Sequence, residues 1–447
     1  MPKIKKVYLC SACGDDFPKW NGQCPSCNEW GTLSEFATSK NKVKRDIKDS
    51  YALSDILDST PSDRISTSLD EVNRVLGGGM LPGSLILLGG SPGVGKSTLS
   101  LHICSGLNQK SLYFSAEESE EQVAIRARRL RVKTENLFLS GESDLNGIIT
   151  HMDRIAPKFV IIDSIQTIFN SDLDSLPGSP SQIKDCGQKF LEVAKNKNIT
   201  ILIVGHVTKE GTIAGPKMLE HLVDTVLYLE GDDRYEHRIL RSTKNRFGAT
   251  HEVGIFQMDE SGLKQIENPS EIFLEERSID VSGTCIYPSL EGTRPILIEI
   301  QALVTNANYN TPQRNVTGFN YKRLGMLTAV LEKRIGLSMG TKDIFVNLVG
   351  GLKIDDPAAD LSIISAVASS TMDKCIEKNI ILCGEVGLTG EVRSISNLER
   401  RLAEASSLGF KKAIVPSFSI KAKKLKNKNI DIHPVKNVKQ VFRILFK

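Results

Sequence analysis

Eight residues constrain this chain more than any others: Gly90-Ser91-Pro92-Gly93-Val94-Gly95-Lys96-Ser97 matches the pattern GxxxxGK[ST]. The apolar run Leu85–Leu88 precedes it, and a helical run, Thr98–Leu107, follows. In that setting the glycines let main-chain N–H groups close around a phosphate, and the helix N-terminus favours its negative charge. Lys96 then reaches the β and γ oxygens of a nucleotide such as ATP, and Ser97, with Thr98 behind it, faces a Mg²⁺ ion. Strand, tight loop and helix in this order belong to a sheet flanked by helices. Further strand-like runs at Ser111–Ser115, Phe159–Ile162, Ile199–Val204 and Thr225–Leu229 alternate with helical patterns, which predicts an α/β fold with a mostly parallel sheet.

A bound nucleotide is not yet a hydrolysed one. The strand Phe159–Ile162 runs into Asp163, the acid expected to hold Mg²⁺, although an acid at a strand end also caps turns. A second strand, Ser111–Ser115, delivers Glu117 and Glu118 to the carboxyl edge of the sheet, where open α/β sheets bind ligands. Glu117 is the first choice for orienting an attacking water and Glu118 the second; either acid alone would also serve simply to open the next helix. His206, at the end of Ile199–Val204, suits a γ-phosphate sensor or a satisfied buried contact equally.

Nine cysteines in 447 residues are no disulfide framework. Cys10, Cys13, Cys24 and Cys27 form two CxxC pairs whose separation brings four thiolates around one tetrahedral Zn²⁺, with an iron–sulfur centre as the alternative. A segment this short rarely folds on its own core, so the metal would supply the folding energy. Trp20 and Trp30 beside the knuckles suit packing, with base stacking the alternative. The other five cysteines read as buried apolar residues of a reducing compartment. No apolar run reaches membrane-span length and the N-terminus lacks an apolar signal core, so a cytoplasmic protein with no membrane partner is expected. The formal charge of +4 is uneven: Phe410–Lys447 holds eleven Lys and Arg against one acid, Asp431, a local +10 that leaves residues 1–409 at about −6. That basic stretch reads as a tail able to meet DNA, or as a solvated helix face.

Several segments together carry a family pattern: the cysteine cluster, Leu76-Gly-Gly-Gly-Met80, the phosphate loop, Gly205-His-Val-Thr-Lys-Glu-Gly-Thr-Ile-Ala-Gly-Pro216 and Lys244-Asn-Arg-Phe-Gly248. Across essentially its whole length the chain closely resembles the RadA (Sms) family of bacterial DNA repair proteins. The resemblance implies a RecA-like ATPase core in a homo-hexameric ring on single-stranded DNA, driving branch migration of branched recombination intermediates alongside the RecA recombinase. It also implies that Lys244 and Arg246 reach the nucleotide of the neighbouring subunit, as an arginine finger does. Read without it, Arg238–Thr243 is a strand that presents two cations and a glycine at its end. Two loops, Gln166–Asp185 and Thr208–Lys217, stand where RecA-like proteins place channel loops, with Lys209 and Lys217 as phosphate contacts.

From about Lys342 onward the chain resembles the peptidase domain of Lon. Where Lon reads Asp-Gly-Pro-Ser-Ala-Gly, this chain has Asp355-Asp356-Pro357-Ala358-Ala359-Asp360, and Glu399 stands where Lon has its lysine. A Ser–Lys dyad needs a hydroxyl and an amine, so no protease is expected. The expected organisation is a zinc module over residues 1–37, a linker over 38–58, the ATPase over 59–269 and a Lon-like α/β domain over 270–447. The expected function is a DNA-dependent ATPase of recombinational repair; the alternative is an ATP-gated ring scaffold or switch.

Overall fold

The computed structural model describes residues 5–10, 15–38, 64–206, 216–231, 236–250, 252–275, 277, 280–307, 311–349, 354–419 and 429–446. The chain divides into two compact units, residues 1–265 and 266–447.

At the start of the first unit, β1 (Lys5–Cys10) pairs antiparallel with β2 (Asp16–Phe17) and β3 (Leu33–Thr38). Cys10, Cys24 and Leu33 form its buried centre, with Tyr8, Phe17 and Cys27 packed on them. So small a core cannot hold a fold by apolar burial alone.

After the segment 39–63 come α1 (Asp70–Leu76), β4 (Leu85–Gly90), α2 (Lys96–Ser105), β5 (Ser111–Ser115), α3 (Glu120–Arg129), β6 (Leu137–Ser140) and α4 (Leu145–Ile155). They are followed by β7 (Phe159–Asp163), α5 (Pro180–Lys197), β8 (Thr200–Val204), α6 (Pro216–Leu222), β9 (Thr225–Gly231), β10 (His237–Asn245), β11 (Val253–Asp259) and β12 (Gly262–Gln265). The strands form one sheet in the order β12-β11-β10-β9-β4-β8-β7-β5-β6. Pairings from β9 to β6 are parallel and those from β9 to β12 antiparallel. The two faces of β4 feed different cores: Ile86 and Leu88 join Val72, Leu99 and Phe256, whereas Leu85 and Leu87 join Ile148, Ile183 and Phe190. Burial on both faces is why this strand is apolar at every position. The carboxyl ends of β4, β5, β7 and β8 lie along one edge of the sheet.

The Gln166–Asp185 loop is shorter and better braced than expected. Ser179 caps α5 and Pro180 occupies its first turn, so residues from 180 onward are helical. The Gln182 amide donates to the carbonyls of Asn170 and Ser175 at 3.2 and 2.9 Å, and its oxygen accepts from Asn170 N at 2.7 Å.

The second unit contains α7 (Pro269–Glu275), β13 (Thr284–Glu291), β14 (Arg294–Asn306), β15 (Arg314–Thr317), α8 (Tyr321–Val330), β16 (Lys342–Leu348) and α9 (Asp360–Met372). Next come β17 (Ile380–Leu382), β18 (Glu385–Val386), β19 (Val392–Arg393), α10 (Leu398–Ser407), β20 (Lys412–Pro416), β21 (Asp431–Val435) and α11 (Val438–Leu445). Its main sheet runs β15-β16-β14-β13-β17-β20-β21, with β18-β19 as a separate pair. A π turn, Leu331–Ile335, extends α8 and ends at Gly336 in the left-handed region. The basic stretch from Phe410 is therefore not an appended tail: β20, β21 and α11 are integral to the unit, and its Lys421–Lys428 run lies outside the described residues. Among the described residues no helix is long and apolar enough to cross a membrane.

Candidate nucleotide site

The phosphate loop turns sharply out of β4 into α2. Gly95 has φ 112°, a left-handed conformation that demands glycine; a Cβ there would also meet the movable tip of Met258 at 2.5 Å. Lys96 Nζ donates to the Gly90 and Ser91 carbonyls at 2.9 and 3.0 Å, which holds the amine over the loop. Burial lowers its pKa, opposed by the charges of Asp163 and Glu117. Arg238, from the near end of β10, donates its Nε to the Val94 carbonyl at 3.2 Å. Its side chain crosses β9 at Gly231, where a Cβ would lie 2.3 Å from Arg238 Cδ.

Asp163 closes β7 and is only 9% exposed. Tyr113 donates its hydroxyl to this carboxylate. Burial nevertheless raises the Asp163 pKa, against the lowering by Tyr113 and Ser97. A buried acid whose pKa burial raises, with a serine hydroxyl on it, is a donor pair suited to a divalent cation.

The two glutamates part company. The Glu117 carboxylate accepts from the Ser164 hydroxyl and from His206 Nε2 at 3.2 Å. The His206 bond is the main cause that holds its pKa below the ordinary range; burial opposes it and Ser164 adds to it. Glu118 instead meets Arg126 at 2.5 Å on α3. Among the described residues the other His206 nitrogen, Nδ1, is buried without a partner.

Lys244 and Arg246 are nowhere near this edge. Along β9, Leu229 stands beside Gly90 and Val226 beside Lys244. Three residues of strand separate these levels, about 10 Å, and the loop projects beyond one end while Lys244 lies toward the other. Lys244 Nζ donates to the Glu220 and His221 carbonyls at the end of α6, at 2.6 and 3.2 Å. Arg246 Nη1 meets Asp224 Oδ1 at 3.4 Å. Burial, then the Arg246 charge, lowers the Lys244 pKa. Lys209 lies outside the described residues; Lys217 is in α6, and its side chain is outside them.

The sulfurs of Cys10, Cys24 and Cys27 lie within 4.8 Å of one another, with Cys10 and Cys27 at 3.7 Å. Zn–S bonds of about 2.3 Å set tetrahedral sulfurs about 3.8 Å apart, so these three thiols fit a zinc ion. Cys13 lies outside the described residues. Packing does not describe the tryptophans, since Trp20 is 60% and Trp30 73% exposed.

In the second unit Ala358 is buried at the start of α9, while Glu399 is exposed on α10. What fills this region is Arg401, fully buried. It donates to Asp356 Oδ2 at 2.5 Å, the Tyr287 hydroxyl at 3.0 Å and the Pro288 carbonyl at 2.6 Å. Sequence reasoning missed Tyr113, Ser164, Arg238, Asp224 and Arg401. Only Ser164, next to Asp163, had a local signal; the others meet partners distant in the chain.

Comparison with known proteins agrees with this architecture. Residues 8–35 match the rubredoxin metal binding domain family, residues 51–212 the AAA domain family, and residues 325–419 the family of subunit ChlI of Mg-chelatase, which is Lon-like. The chain is 46% identical to the DNA repair protein RadA of Bacillus subtilis (strain 168), covering 99% of both chains. It is also 46% identical to that of Listeria monocytogenes over 93% of both. To that of Streptococcus pyogenes serotype M3 it is 42% identical over 100% of both. Identity of this degree, sustained through the zinc ribbon, the ATPase core and the Lon-like unit, means that the chain belongs to the RadA family of DNA repair proteins.

Proposed function

We propose that the protein is a DNA-dependent ATPase of recombinational repair, working in the cytoplasm as a hexameric ring on single-stranded and branched DNA. One observation supports this best: the phosphate-loop edge offers Lys96, Ser97, Asp163 and Glu117, whereas Lys244 and Arg246 sit at the opposite end of the sheet. A site so divided is completed when the cations of one subunit face the loop of the next. In this reading residues Gly90–Thr98 hold ATP and Asp163 and Ser97 hold Mg²⁺, which supplies charge neutralisation on the phosphates. Glu117, held ionised by His206 and Ser164, orients the water, and Lys244 and Arg246 stabilise the charge developing on the neighbour's transferring phosphate. Glu118, tied to Arg126, is the weaker candidate.

Residues 1–37, 59–269 and 270–447 are assigned as zinc module, ATPase and Lon-like scaffold, joined by the linker 38–58. With Ala358 and Glu399 in place of a dyad, the scaffold has no peptidase role. Lys209 and Lys217 are assigned as DNA contacts, and RecA as partner recombinase enters from the family alone.

The test measures ATP turnover with and without single-stranded DNA, then mixes inactive variants. Stimulation by DNA is expected, together with recovery of turnover when Lys96→Ala subunits are mixed with Lys244→Ala subunits. No DNA effect, with nucleotide-dependent assembly intact, would favour the ATP-gated scaffold instead.

A further inference from the structure

One buried carboxylate organises the sheet end opposite the phosphate loop. Asp224, just before β9, is 1% exposed, and both its oxygens are engaged. Its Oδ2 accepts from the Leu85 amide at 3.1 Å and from Lys195 Nζ at 3.0 Å; Oδ1 accepts from Arg246 Nη1 at 3.4 Å. The main chain pins the same turn, because Arg246 N donates to the Asp224 carbonyl at 3.1 Å and Asp224 N to the Leu85 carbonyl at 2.9 Å. Lys195 also lies 5.7 Å from the centre of the Phe247 ring. From the other side Arg64 donates to the carbonyls of Phe247, Leu76 and Gly79 at 2.5, 3.1 and 3.0 Å. The Lys244–Gly248 segment is thus a braced turn.

A carboxylate this buried needs cationic or N–H donors on every side, and removing one leaves it uncompensated. Arg246 meets that need with a single nitrogen. Its side chain is 54% exposed, and a guanidinium has five N–H donors, so the rest of the fork is left for an oxyanion outside the chain. Anchored at one corner and open at the others, the group is positioned without being consumed.

We propose that Asp224 is the positioning residue for Arg246 and, through it, for turnover at the neighbouring subunit's nucleotide. The inference rests on the reading that Lys244 and Arg246 act in trans. Asp224 touches no nucleotide in its own subunit, so its loss acts on turnover next door and spares binding at home.

Asp224→Asn keeps the shape and an acceptor oxygen but removes the charge that holds Arg246. Nucleotide affinity of this variant should stay within about twofold, and the turnover rate should fall by about ten- to a hundredfold, the usual effect of a misplaced catalytic group. Mixing supplies a readout that a merely structural role would not move: Asp224→Asn subunits combined with Lys96→Ala subunits should regain turnover, because intact loops then meet intact cations. Lys244→Ala mixed with Lys96→Ala is the control. Recovery in the control but not with Asp224→Asn means that Asp224 serves its own subunit, which overturns the proposal and leaves the trans reading standing. Recovery in neither overturns both, and unchanged turnover of folded Asp224→Asn overturns the proposal outright. Should that variant not fold, Asp224→Glu, which keeps the charge and moves it by one methylene, takes the same test.

Discussion

Glu117 and His206 make a pair whose chemistry can be read from two bonds. With the His206 bond the chief cause of a lowered Glu117 pKa, the carboxylate remains an anion, and an acceptor for water, at pH values where a free glutamate begins to protonate. A group whose folded pKa is depressed contributes above its unfolded value and loses that contribution as pH falls through the folded one. His206→Ala should therefore move the acid limb of the kcat/KM profile to higher pH, and a pH series on wild type and variant reads the shift. Glu117→Gln keeps the Ser164 and His206 contacts within reach but removes the carboxylate proposed to orient the water. It should cut turnover by about 10²–10⁴-fold while nucleotide affinity stays near wild type, measured by single-turnover hydrolysis beside equilibrium binding. Lys96, Ser97 and Asp163 were legible in the sequence because each is fixed by its immediate neighbours. Tyr113 and Arg238 were not, since what they touch is set by strand order.

Among the elements, α9 of the second unit shows how a peptidase-like segment is refitted as structure. Its first turn follows Asp356-Pro357-Ala358-Ala359, with Asp356 accepting from Ala358 N at 2.9 Å and ion-paired with Arg401. Burial would raise the Asp356 pKa, but Arg401 and the Ala358 amide outweigh it and hold the carboxyl low. The brace is thus present at neutral pH and lost as pH falls through that lowered value. Arg401→Ala removes the charge partner of Asp356, which keeps only the Tyr287 hydroxyl and the Ala358 amide, and leaves the Pro288 carbonyl without its donor; it should cost about 3 kcal/mol, seen in denaturant unfolding of the full chain. The structure starts α3 with a capping box of Ser119 and Gln122, a local pattern in which each side chain reaches the other's backbone. Pro177, Gly178 and Pro180 make the segment before α5 look like a loop, but Pro180 suits a helix's first turn and Ser179 its cap.

For the whole molecule, the proposed completion of the site by a second subunit would make turnover a property of the assembly. On dilution below the assembly concentration, ATP turnover per chain should fall while nucleotide affinity per chain persists. Steady-state rates measured against protein concentration, beside light scattering, check this, and rates proportional to concentration throughout would argue for a self-sufficient subunit. By itself the sequence determined the parallel strands, the phosphate loop, the Asp163 acid, the cysteine cluster and the missing dyad. Those features depend on period, spacing or identity among near neighbours in the chain. It also carried the family, through the cysteine cluster, the phosphate loop and Lys244–Gly248 taken together. Only the tertiary structure decided which glutamate faces Ser164 and His206, that the described part of the basic C-terminal stretch is built into β20, β21 and α11, and that Lys244 and Arg246 lie at the far end of the sheet. The reason is physical: the antiparallel pairing of β10 with β9 carries the chain back past its own phosphate loop, and no local pattern encodes where such a return ends.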